Sequence, residues 1–281
     1  MTARVLKFGV MMLLGTMFFI SCSDEDGVNL NETNDLNAEE IQDMVVADDI
    51  TSDIDDILED DDLDFGLLAR GGDESRSSVA DCATRSVVVD DVAETLTITL
   101  DFGENCVGPR GRELSGKIII VYQKTDLGYT KEVSFDGFSV DGNTIEGSKS
   151  VVKVKENSNG NKEATHTADI TITLSTGETI VLEGTRTREK IEGDETRDRG
   201  DDVYLISGNW RFVNKLGNEF TGNIVEKLRR EYACKYIVSG VTEITKNSNA
   251  YTLDFGDGSC DNTATVTNSA GESREITLRR R

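Results

Sequence analysis

From Val79 onward, apolar residues recur at every second position. Leu96, Ile98, Leu100 and Phe102 alternate with Thr95, Thr97, Thr99 and Asp101, and Ile170, Ile172 and Leu174 alternate with Thr171 and Thr173. A side-chain period of two belongs to antiparallel strands with one buried face. Similar runs occur at Lys117 to Lys124, Glu132 to Val140, Thr144 to Lys155, Thr179 to Lys190, Val203 to Val213, Glu219 to Arg229, Lys235 to Thr245 and Tyr251 to Phe255. Hairpin signals separate them: Asp141-Gly142-Asn143, Asn159-Gly160-Asn161, Thr176-Gly177 and Leu216-Gly217-Asn218. Pro109 is the only proline, so little in the chain interrupts a ladder.

Six glycines sit inside these strand patterns rather than at turns: Gly137, Gly147, Gly184, Gly208, Gly222 and Gly240. Interior glycines let a sheet bend or let a large side chain pack across a crease. Gly137 and Gly147 are equidistant in sequence from Gly142, which predicts that they face each other across a hairpin. The expected fold is mainly β: a strongly curved antiparallel meander of roughly a dozen strands, barrel-like or a half-barrel, with one short N-terminal helical segment.

Five residues recur as a block. Thr99-Leu100-Asp101-Phe102-Gly103 stands before Cys106, and Thr252-Leu253-Asp254-Phe255-Gly256 stands before Cys260. Each copy has an earlier cysteine, Cys82 or Cys234, and turn residues midway, Asp90-Asp91 or Asn247 to Asn249. Cysteines at the open ends of a hairpin face one another, which predicts Cys82–Cys106 and Cys234–Cys260. Four cysteines also suit a zinc site, but no Cys-x-x-Cys pair is present and the only histidine, His166, is remote in sequence from all four. The repeat intervals are too unequal for a solenoid or propeller.

Charge is uneven. Residues 23 to 80 carry 20 Asp or Glu against two Arg, whereas residues 81 to 281 carry 33 acids against 26 bases. Such an acidic chain repels phosphate, so no nucleic-acid partner is expected. Self-repelling segments stay extended and solvated, which makes residues 22–78 an expected acidic tether ahead of a β-rich ectodomain at 79–281. Within the tether, Asn37 and Glu40 have the form of a capping box, and Ile41, Met44, Val45, Ile54, Ile57 and Leu58 recur near helical spacing, predicting a helix over about 38–58. Asp48-Asp49 interrupt the stripe, so two short helices, the second capped by Thr51 or Ser52, also fit. Asp60 to Asp64 and Gly71 to Ser78 read as linker. The helix either packs into the curved sheet or stays solvated.

Residues 1–21 read as a signal peptide. Arg4 and Lys7 precede an apolar run from Phe8 to Phe19, which is shorter than the roughly 20 residues needed to span a bilayer. Phe19-Ile20-Ser21-Cys22 resembles a lipobox, which implies lipidation at Cys22 and a membrane partner reached through the lipid anchor. Ser23-Asp24-Glu25-Asp26 resembles the acidic export signal of Bacteroidota lipoproteins, implying the outer membrane and an outward-facing position. The ectodomain also resembles a group of uncharacterised Bacteroidota lipoproteins. The residues that carry this likeness are Thr185-Arg186-Thr187-Arg188-Glu189 with Ile191-Glu192-Gly193, Asp201 to Gly208, and Leu253 to Asp261. The resemblance covers most of residues 81 to 279 and implies an envelope β-domain without assigning a reaction.

Catalytic constellations are sparse. His166, in Ala164-Thr165-His166-Thr167, reads as an exposed strand histidine with no nucleophile motif beside it. The chain contains no Gly-x-Ser-x-Gly elbow, phosphate loop or His-Glu-x-x-His motif. Acids are so numerous that candidate glycosidase pairs, which are defined by distance in space, carry no information. Asp60, Asp62 and Asp64 lack the glycine and terminal Glu of a calcium loop, and Asp254, Asp257 and Asp261 are explained by a turn beside a disulfide. No enzyme activity, metal or cofactor is therefore expected.

Arg186, Arg188 and Lys190 alternate on one strand face, and Arg211 lies beside Trp210. These bases suit either an anionic glycan or carboxylate, or a cross-strand ladder with Glu183, Glu189, Glu219 and Glu226. Tyr204 and Trp210 share parity and suit either a core or a sugar-stacking platform. Arg186, Arg188, Tyr204 and Trp210 are thus the candidate ligand-binding residues. Two functions fit: a non-catalytic surface lipoprotein engaging a glycan or an envelope protein, or a carrier of lipid or another apolar ligand in a half-open sheet.

Overall fold

The computed structural model describes residues 36–68, 80–108, 111–196 and 198–278. Cys22, the signal peptide, the acidic export-like motif, the 71–78 linker and Pro109 lie outside these residues. One helix, α1 (Ala38–Leu68), precedes fourteen strands. They are β1 (Thr84–Asp90), β2 (Thr95–Asp101), β3 (Cys106–Val107), β4 (Glu113–Lys124), β5 (Gly128–Val140), β6 (Asn143–Val154), β7 (Glu163–Thr173), β8 (Thr179–Glu192), β9 (Val203–Val213), β10 (Glu219–Glu231), β11 (Ile237–Lys246), β12 (Asn249–Asp257), β13 (Thr263–Asn268) and β14 (Ser273–Thr277). They form a single antiparallel sheet in sequence order, with the short β3 alone off the path, paired to β4. The sheet does not close, and β1 and β14 are its ends.

Turn chemistry sets the meander. Asp141 and Gly142 both adopt positive φ, as do Asn247 and Ser248, giving two-residue turns whose twist matches that of the strands they join. Both disulfides pair as the repeat predicts, Cys82–Cys106 with Cα atoms 5.6 Å apart and Cys234–Cys260 at 5.7 Å. Each closes the open end of a hairpin, β1–β2 in the first copy and β11–β12 in the second.

The glycines act differently from the symmetric placement expected. A bulge between Ser134 and Ser139 shifts the β5–β6 register, so Gly137 does not face Gly147. Gly137 instead lies against Gly116 of β4, where an added Cβ would stand 2.2 Å from the Gly137 carbonyl oxygen. The crease that accepts a large side chain is on β10: a Cβ on Gly222 would fall 2.1 Å from the Trp210 ring.

The acidic segment is not a solvated tether over residues 39–59, most of which are buried or half-buried. α1 is one continuous helix of 31 residues that passes through Asp48-Asp49 and through the Asp60–Asp64 stretch expected to be linker. Its start matches the capping box: Glu40 N–H donates to Asn37 Oδ1 at 2.9 Å, and Asn37 N–H donates to Glu40 Oε2 at 3.1 Å. Thr51 caps nothing, since its hydroxyl donates back to the Ala47 and Asp48 carbonyls. Ile41, Ile50, Ile54, Ile57 and Leu58 are buried in the same core as Ile98, Ile118, Ile170, Phe212 and Val266 from across the sheet. The half-barrel therefore folds around α1, and the helix supplies the interior that an open sheet lacks.

Candidate functional site

The side chains facing α1 change character along the strands. On β8 the inward positions run Ile180, Leu182, Gly184, Arg186, Arg188 and Lys190. On β6 they run Ile145, Gly147, Lys149, Val151 and Lys153, and β7 adds Ile172, Ile170, Ala168 and His166. One half of the trough is aliphatic and the other basic. The acids of α1 meet the basic half.

These contacts join residues far apart in sequence. Lys149 and His166 converge on Asp55, with His166 Nδ1 at 2.9 Å from its carboxylate. Arg186 pairs with Asp48, and Arg112 bridges Asp53 and Asp141. Tyr204 donates its hydroxyl proton to Glu59 and Tyr232 donates to Asp56. Lys131 Nζ donates to the Leu58 carbonyl at 2.5 Å and lies over the Tyr122 ring. At the helix start, Lys246 and Asn218 both donate to Glu40, at 2.8 and 3.0 Å.

Burial opposes the charge on Asp55, but His166, Lys149 and Arg188 outweigh it and hold the carboxyl well below the usual range. Glu59 is likewise lowered, since Arg188, Lys153 and Arg199 overcome burial. Burial pushes His166 down in spite of Asp55, so at neutral pH the imidazole lies uncharged beside the Asp55 carboxylate, while the lysine and arginine supply the positive charge. Burial raises the phenols of Tyr204 and Tyr232, so both remain proton donors.

His166 is therefore not the exposed strand histidine expected. It is 8% exposed and committed to α1. The parity of Ile170 and Ile172, counted back two residues at a time, reaches His166 and carried this signal. The four candidate binding residues divide in two. Arg188 and Tyr204 line a cavity of 290 Å³, bordered by many charged residues, beside the Asp55–Glu59 turn of α1. Arg186 and Trp210 line a smaller apolar cleft of 120 Å³ with Leu228, Phe255 and Met44. The ladder reading applies to Arg211, which faces outward and bridges Glu183 and Glu219 at 3.2 and 2.8 Å. Arg186, Arg188 and Lys190 face inward, and Lys190 pairs with Asp202 at 2.7 Å.

The β6–β7 loop borders this cavity with Lys155 and Lys162, and Glu163 follows at the start of β7. The loop is pinned from outside, a feature the hairpin signal Asn159-Gly160-Asn161 did not disclose. The amides of Asn159, Asn161 and Asn157 all donate to Glu189 Oε1, and Lys227 reaches its other oxygen at 2.9 Å. Those bonds, Asn159's foremost, hold Glu189 far below the ordinary carboxyl range. Asp254, Asp257 and Asp261 accept backbone N–H groups two residues onward and so shape their turns. Among the described residues no group of three or more His, Cys, Asp or Glu side chains is placed to hold a metal ion.

No family model matches the chain, nor does any curated protein or solved structure.

Proposed function

We propose that the protein is a lipid-anchored, surface-exposed envelope lipoprotein of the Bacteroidota type, a non-catalytic module that binds a polar partner. The Arg4/Lys7, apolar-run and Cys22 pattern supports the anchor, and two disulfides suit an oxidising compartment. The observation that carries the binding reading is the filling of the trough: α1 occupies the concave face, and the larger of the two cavities described above is lined by charge. His166 is held by an ion-paired carboxylate rather than by a nucleophile.

The apolar cleft around Trp210 and Phe255 favours a second reading, carriage of a lipid or other apolar ligand. Native mass spectrometry of the full chain separates the two. The binding reading expects no co-purifying lipid, whereas an extractable lipid adduct that disappears in Leu228→Trp, which fills the cleft, would establish the carrier instead.

A further inference from the structure

β1 and β14 are the two ends of the open sheet, and the sequence treats them differently. A sheet end presents unpaired backbone N–H and C=O groups, which folded proteins guard with charge, proline, a bulge or a short strand. β14 is guarded: it has five residues, two of them Arg274 and Glu275, and Arg274 donates to the Leu36 carbonyl ahead of α1. β1 has seven residues, holds one register with β2 throughout, and carries no lysine, proline or bulge. Val87 and Val89 stand on its inner face, opposite Ile98 and Leu96, and Val88 stands on its outer face. They are 38, 64 and 63% exposed, and none belongs to the core around α1. The exposed large apolar residues outside this hairpin, Val107, Leu127, Val152, Leu216 and Val225, fall on separate elements. A contiguous apolar run on an unguarded edge marks a strand-pairing surface.

The sequence of the strand indicates what pairs with it. Arg85-Ser86-Val87-Val88-Val89-Asp90-Asp91 is complementary in charge to its own reverse. Antiparallel pairing of two copies about a two-fold axis at Val88 sets Val88 opposite Val88 and Val87 opposite Val89. It also sets Arg85 opposite Asp91 and Ser86 opposite Asp90, once at each end, and opposite charges across strands stabilise the pair. A two-fold axis keeps residues of one face opposite each other, so the register moves only in steps of two. One step places Arg85 opposite Val89 and the other places Asp90 opposite Val88, so charge selects the register centred on Val88. Asp90 accepts the amides of Val92 and Ala93, both at 2.9 Å, which fixes the turn that presents Asp91.

We infer that β1 is a dimerisation edge, through which two copies of this chain join their sheets antiparallel about a two-fold axis at Val88. The contact is isologous and consumes both β1 edges, so assembly closes at two copies. It goes beyond the polar-binding reading above and does not depend on it.

The test is sedimentation velocity and oxidative cross-linking of the full chain in mild detergent. Salt of about 0.15 M, where the Debye length is about 8 Å, screens the repulsion between two copies of net charge −23. Wild type should show a concentration-dependent equilibrium between monomer and dimer. Val88→Cys should give a disulfide-linked dimer with both native disulfides intact by peptide mapping, because directly opposite residues have Cα atoms about 4.5–5.5 Å apart. Val92→Cys, more exposed at 97% but distant from its own copy in this register, should not. Arg85→Asp turns two attractive pairs into repulsive ones and should weaken dimerisation about tenfold, and adding Asp91→Arg should restore it. Val88→Lys should abolish the dimer with the circular dichroism of the sheet unchanged, and it carries the test if Arg85→Asp does not fold. A monomer at every concentration, Val92→Cys linking as readily as Val88→Cys, no rescue of a folded Arg85→Asp, or Val88→Cys joined to a co-purifying chain of another sequence would overturn the inference.

Discussion

Glu40 offers the sharpest test of whether the acidic segment is interior or tether. Its carboxylate completes the capping box with Asn37 and receives Lys246 and Asn218, and the Glu40 and Lys246 side chains are 2% and 4% exposed. Glu40→Gln preserves the capping geometry, since Gln also serves at that position, and removes only the charge. A solvated tether would lose a few tenths of a kcal/mol, because exposed pairs contribute little. Taking the carboxylate away from a buried ammonium 206 residues distant in sequence should instead cost about 3 kcal/mol, the low end for breaking a buried pair. Lys246→Met should cost a similar amount, because it strands the carboxylate. The double variant removes both charges together and should cost about 2 kcal/mol or less, well under the sum of the singles. Urea unfolding of the four proteins, read by the midpoint at constant slope, supplies the cycle. Singles that are additive, or a Glu40→Gln midpoint indistinguishable from wild type, would show that α1 does not pack in the trough and refute the reasoning.

Two further outcomes are expected. Burial lowers the His166 pKa from its ordinary 6.5, so the unfolded chain takes up that proton first: its contribution is complete above pH 6.5 and is lost as pH falls toward the folded value. Asp55 and Glu59, lowered from 3.8 and 4.5, add a second loss below about pH 4.5. Relief of general repulsion in so acidic a chain acts on every variant alike, so the melting temperature of wild type minus that of His166→Gln isolates the histidine. This difference should shrink from pH 7.5 to 5.5, and a constant or growing difference would contradict the assignment. For the anchor, metabolic labelling with an alkynyl palmitate should tag the wild type, and Cys22→Ala should lose the tag and leave the membrane fraction; a Cys22→Ala protein that stays membrane-bound would argue for attachment by other means.

Period-two alternation, turn residues and the repeated Leu-Asp-Phe-Gly block carried the strands and both disulfides, because each is a local signal within one hairpin. The helix start was legible for the same reason, since Asn37 and Glu40 are three residues apart. Its burial was not. A run of Asp and Glu reads as solvated unless its counter-charges are known, and Asp48 finds Arg186 at a separation of 138 residues. Register limited the rest. One bulge in β5–β6 cancelled the symmetry that placed Gly137 opposite Gly147, and Gly137, at φ 59°, lies within the bulged stretch itself.

The same long-range pairing explains how a trough this charged is held together. Counting bases in the sequence yields a basic strip on β8 and no reason to prefer one member. Pairing makes the distinction: Arg186 is paired with Asp48 of α1, and Lys190 is paired with Asp202 from the end of the β8–β9 connection. Arg188, between them on the same face, stacks on Tyr204 and has Glu59 of α1 3.7 Å from Nη2. A charge that serves only the fold should be satisfied by the fold. Each base of the strip is met by a different carboxylate, two of them on α1, so acids that read as solvated in the sequence are what the interior of this sheet requires.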